Sequence, residues 1–112
     1  MATRTIFRLL AVLLASLLYW TLVSHVANVA EPWDAPAYWR GWYPGALLLS
    51  AVGGRLIGWS AGAIVIAAQA PVMAINGALA ADGWPIALPF LLALAVPAVA
   101  VAALARISRR SL

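Results

Sequence analysis

With 112 residues, 66% of them apolar and only 9% charged, the chain holds one domain at most and departs from soluble composition, which runs about 45–50% apolar and about 25% charged. A soluble fold this small leaves too much surface in water to hide that much apolar area, and lipid is the solvent that removes the difficulty. The net charge of +4 comes from seven arginines set singly or at the chain ends, which points to anionic lipid headgroups and not to nucleic acid, while the absence of cysteine excludes disulfides, thiolate catalysis and cysteine-bound zinc or iron–sulfur clusters.

Arg4 and Arg8 precede an uncharged run, Leu9 to Val29, long enough at 1.5 Å per residue to cross a hydrocarbon core of about 30 Å. The run outlasts a signal-peptide core, so a retained helix is expected over 9–29, ended by Glu31-Pro32 because the residue before proline avoids the α region. Residues 31–43 (EPWDAPAYWRGWY) mix charges, prolines and aromatic rings. Such rings collect where one side is apolar and the other wet, so this segment is expected at the membrane surface, anchored by Trp33, Trp39, Trp42 and Tyr43.

Residues 44–57 form a short apolar stretch, read as a second, tilted or mismatched span that turns around Gly53–Trp59. Residues 59–79 make a third span and 85–105 a fourth, joined by Ala80-Ala81-Asp82-Gly83. Pro85 sits at a tolerated helix start, whereas Pro71 and Pro97 predict kinks in the third and fourth helices. With four crossings, Arg4, Arg8, Arg55, Arg106, Arg109 and Arg110 share one side and only Arg40 lies on the other. The positive-inside rule then puts both termini in the cytoplasm. The expected fold is an all-α integral membrane protein, a four-helix transmembrane bundle that is N-in and C-in, multi-pass in the inner membrane.

Few residues carry chemistry. No two carboxylates share a span, the single histidine has no motif around it, and no cofactor or metal is called for. Polar groups inside spans are costly in lipid and often mark a path. On the first helix Thr21, His25 and Asn28 recur at i, i+4 and i+7; on the third, Gln69 and Asn76 are seven apart. These define a candidate polar path of His25, Asn28, Gln69 and Asn76, set against plain interhelical hydrogen bonding. Gly54, Gly58 and Gly62 repeat every four residues, a pattern that lets helix backbones approach closely within or between chains. The expected function is a non-enzymatic assembling subunit, self-associating or joined to another membrane protein. The alternative is a small oligomeric channel or transporter with its path along helices one and three.

Overall fold

The computed structural model describes residues 3–28, 36–75 and 84–111. All regular structure among them is helical: α1 (Thr3–Ala27), a π-helical turn (Tyr38–Trp42), α2 (Tyr43–Ile57), α3 (Ser60–Ala67), α4 (Gln69–Ile75) and α5 (Trp84–Ser111). Asn76 and Trp33 lie outside the described residues.

Local sequence accounts for the boundaries. The α1 helix contains neither glycine nor proline, and it extends upstream of Leu9 because Arg4 and Arg8 are good helix formers even though they mark the end of an apolar slab. It stops at Ala27, earlier than Glu31-Pro32 requires. Asn28 takes φ 55°, the left-handed conformation in which asparagine stands in for glycine just past a helix C-terminus. Pro44 sits in the first turn of α2, where its missing N–H is harmless. The α2 helix ends at Gly58 with φ 84°, and Gly58-Trp59 make the whole turn into α3.

Regular helix in the expected third span is interrupted at Ala68 alone, which keeps right-handed helical angles (φ −62°, ψ −17°). Pro71 has no N–H for the Ala67 carbonyl and its ring crowds that carbonyl, and the chain leaves regular helix at Ala68, between α3 and α4. By contrast α5 runs without interruption through Pro89 and Pro97.

Side-chain contacts fix the register. A methyl on Gly53 would meet Val12 at 3.4 Å, and the Tyr19 hydroxyl donates to the Trp42 carbonyl, so α1 and α2 run antiparallel. The α5 helix lies in the groove between α2 and α3: Gly54 faces Ala102, Gly58 faces Arg106 and Gly62 faces Ala98. Gly54 and Gly62 stand on opposite arms of the α2–α3 hairpin and bring two helix backbones into contact with a third. The tight turn explains Gly58; close approach explains the other two. The glycine repeat is therefore consumed inside the chain.

Large apolar side chains face outward, while a mainly apolar core also holds a few polar ones. Ser16, Ser24, Ser50 and Gln69 are buried, while Phe7, Leu14 and Leu18 on α1 and Leu92 and Val96 on α5 are between 58% and 71% exposed. Thr3–Ala27 and Ala87–Ile107 are long and apolar enough to cross a membrane.

Candidate functional site

The densest polar and aromatic constellation gathers where α1, the π turn, α2 and the α3–α4 break meet. Its origin is the backbone ahead of Pro44. Gly41 N–H and Trp42 N–H share the Ala37 carbonyl at 2.8 and 3.2 Å, and Tyr43 N–H donates to the Tyr38 carbonyl. The last two close rings one residue wider than an α turn. Pro44 cannot answer the Arg40 carbonyl, so nothing downstream holds this stretch to the four-residue register.

The wider turn has a geometric consequence. In an α-helix Tyr38 and Tyr43, five residues apart, would point about 140° away from each other. Here their rings stack, with centroids 5.7 Å apart and planes 25° from parallel. Trp20 of α1 also stacks with Tyr38, at 5.9 Å and 28°, and Trp39 packs against it edge-on at 4.9 Å. Trp20 and Tyr38 are fully buried.

Each polar tip in this stack is engaged. Trp20 Nε1 donates to the Val65 carbonyl at 2.7 Å, and the Tyr43 hydroxyl donates to the Leu94 carbonyl at 2.5 Å. The Tyr38 hydroxyl donates to Gln69 Oε1 at 3.2 Å, while Gln69 Nε2 turns back to the Ile66 carbonyl at 3.4 Å. Burial pushes the Tyr38 hydroxyl well above the ordinary tyrosine range, against the opposing influence of the Gln69 bond. It remains a donor at any physiological pH.

The residues singled out from sequence fall in three places. Gln69 is fully buried in the core. His25 and Asn28 are exposed on the side of α1 away from the stripe Val12, Ser16, Trp20 and Ser24 that faces the bundle. The described chain does not bring them to Gln69, and Asn28 also has a local role as the residue that ends α1. Gly54, Gly58 and Gly62 line the α5 groove. Among the aromatic residues expected at the surface, Trp39 is exposed and Trp42 half-buried. Tyr43 is instead a core residue, because the π register turns it inward onto Tyr38 and Leu94.

Three residues escaped the sequence reading. Tyr38 fell within the segment expected at the membrane surface and Trp20 within the first apolar span, and neither was singled out. Ser24 is 7% exposed and its hydroxyl has no hydrogen-bond partner among the described residues, whereas Ser16 and Ser50 donate to the carbonyls of Val12 and Ala46 four residues back. No spacing rule distinguishes Ser24 from those two; only the third dimension does.

Chemically the cluster fastens elements together. No group of three potential metal-ligating side chains occurs among the described residues, and the hydroxyl, indole and amide groups are directed at one another or at backbone carbonyls. No protein-family model, curated protein or solved structure matches the chain.

Proposed function

We propose that the chain is a multi-pass protein of the inner membrane, a four-helix bundle with both termini in the cytoplasm, that serves as an assembling subunit without a catalytic centre of its own. In this arrangement α1, α2, the α3–α4 pair and α5 are the four crossings. The α2 helix, with 15 residues, covers about 22 Å and needs a locally thinned bilayer. Arg4, Arg8, Arg55 and Arg106 fall at one end of the alternating helices, as the register above requires, which supports the cytoplasmic placement of that end.

The observation that carries this reading is the closed interior. Gln69, the one polar side chain at mid-helix in the third crossing, is fully buried and held by Tyr38, and the α5 backbone touches the hairpin at Gly54 and Gly62. A solute path along Gln69 would have to break its bond to Tyr38. The surface that remains for work is the outside of the bundle, which favours assembly over transport.

The test pairs two measurements on protein extracted from its native membrane: size on a native gel, and flux of ions and small neutral solutes in liposomes. The expected result is a species larger than the 11.8 kDa chain with flux no greater than in empty liposomes. A monomer, or saturable flux from a monodisperse sample, would overturn the proposal.

A further inference from the structure

The arginine-bearing end of the bundle is stepped. The α2–α3 hairpin turns at Gly58-Trp59, and the helices on either side run past it. The α1 helix starts at Thr3, five residues before Arg8, and α5 continues to Ser111, five residues beyond Arg106. At 1.5 Å per residue each overhangs the turn by about 7 Å. The floor of the resulting notch is low because Gly58, at φ 84°, carries no side chain.

Arginines from three elements surround that floor. Arg106 lies against the turn itself, since a methyl on Gly58 would sit 2.8 Å from its Nη1 and 3.1 Å from its Cδ. Arg55 is exposed in the last turn of α2. Arg8 approaches from the other side of the hairpin: it stands one helical turn before Val12, which faces Gly53, and it is half-buried opposite the end of α2. No carboxylate side chain occurs among the described residues, so they supply no counter-charge.

Depth sharpens the requirement. The α2 helix, Tyr43 to Ile57, covers about 22 Å against a hydrocarbon core of about 30 Å. With its Tyr43 end at the opposite boundary, the floor would lie among acyl chains, where a guanidinium is costly. A headgroup drawn down into the notch removes that cost, and an anionic one also answers the cations. Below the floor the exposed side chains are apolar, Val52 and Leu56 on α2 and Leu104 on α5, with Trp59 exposed at the turn. Phosphate above and hydrocarbon below match a phospholipid, whereas a free anion would use the upper half alone.

We infer that the notch binds an anionic phospholipid, its phosphate held by Arg8 and Arg106 over Gly58, with Arg55 adding charge, and its acyl chains along α2 and α5. The guanidinium fork suits two phosphate oxygens at once, and basic pockets between membrane helices on the cytoplasmic side bind such headgroups. The inference rests on the membrane reading above and adds a ligand to it.

Trp59 is a native reporter at the site. The full chain is reconstituted in phosphatidylcholine vesicles with increasing fractions of brominated phosphatidylglycerol or brominated phosphatidylcholine, and the Trp59 signal is the difference from Trp59→Phe. Quenching should saturate at a lower fraction of the anionic lipid than of the neutral one. Arg106→Gln and Arg8→Gln, each read against its own Trp59→Phe partner, should lower that preference by about fivefold, the factor for one arginine near a charged surface, with helicity unchanged. Arg4→Gln, one turn farther from Gly58, and Arg40→Gln, at the opposite end, should leave it unchanged. Equal quenching by both lipids overturns the site and leaves the membrane reading standing. An equal loss in Arg4→Gln and Arg106→Gln also overturns it, because the attraction is then a diffuse effect of net charge. Displacement by inorganic phosphate beyond that caused by chloride at the same ionic strength would make a free anion the ligand and sink the lipid. If neither brominated lipid quenches any tryptophan, the membrane reading itself fails.

Discussion

Gly54→Ala tests whether α5 is seated in the hairpin groove. The added methyl would lie 2.6 Å from Ala102 Cα and 2.8 Å from its carbonyl carbon, where carbon atoms in contact sit about 3.5–4.0 Å apart. Two helix backbones must therefore separate locally by about 1 Å, and no rotamer change helps because the obstacle is main chain. Overpacking of this kind costs about 1–3 kcal/mol, offset by about 1 kcal/mol from the better helix propensity of alanine. The α5 helix is also held at Tyr43 through Leu94 and at Gly62 through Ala98, so relaxation is poor, the overpacking cost falls near the upper end of that range, and a net loss of about 2 kcal/mol is expected. Gly41→Ala is the control, since a methyl there meets nothing within 4 Å and should stabilise by up to about 1 kcal/mol. Reversible unfolding in mixed detergent micelles, followed by far-ultraviolet circular dichroism, gives both values. If Gly54→Ala is as stable as wild type, or moves in the same direction as Gly41→Ala, the close approach of α2 and α5 is wrong.

Tyr38→Phe and Gln69→Leu should each destabilise, by about 0.6–1.7 kcal/mol. The double variant should be no worse than the weaker single one, because removing both partners leaves no orphaned group; additive losses in a double-mutant cycle would show that the bond is not made. Trp20→Phe keeps an aromatic ring on Tyr38 but deletes the donor to the Val65 carbonyl, and a loss of about 1 kcal/mol in the same unfolding assay is expected. For topology, a fluorescent protein fused after Leu112 should fluoresce and a phosphatase fused there should be inactive. A phosphatase fused after Asp82 in a truncated chain should be active, and the reverse pattern would refute the four-crossing arrangement.

Hydropathy and punctuation made much of the helical layout legible. Gly58 closes a turn where a glycine-rich stretch interrupts an apolar run, and Pro71 breaks a helix three residues upstream, where its absent N–H is felt. Helix ends were harder to place, because hydropathy marks the edge of an apolar slab whereas Arg4 continues a helix without difficulty. The cluster was legible only in part. Gln69 stands out as an amide in an apolar helix, but its partner Tyr38 read as a surface aromatic, since an amphipathic ring suits a headgroup layer and a bundle core equally well. In an α register Tyr38 and Tyr43 share no face, and only the π turn before Pro44 puts them together. The outward position of His25 and Asn28 was likewise invisible: their spacing set them on one face of α1, and the direction of that face depends on where Trp20 finds the Val65 carbonyl.

The break at Ala68 is the feature that most resembles a moving part, and its surroundings argue for a lock. Discontinuous helices in transporters expose backbone beside a cavity, and a hinge needs freedom on at least one side to absorb a change in φ and ψ. Here both sides are pinned by groups from other elements. Trp20 of α1 holds the Val65 carbonyl three residues before the break, and Tyr38 of the π turn holds Gln69 immediately after it. The stack of Trp20 on Tyr38 joins those two anchors, so neither can shift without disturbing the other. Opening the break would expose a hydroxyl, an indole N–H and an amide to an apolar interior, each at a cost of about 1–3 kcal/mol. A helix interrupted ahead of a proline and then clamped by Trp20 and Tyr38 gains shape and loses mobility.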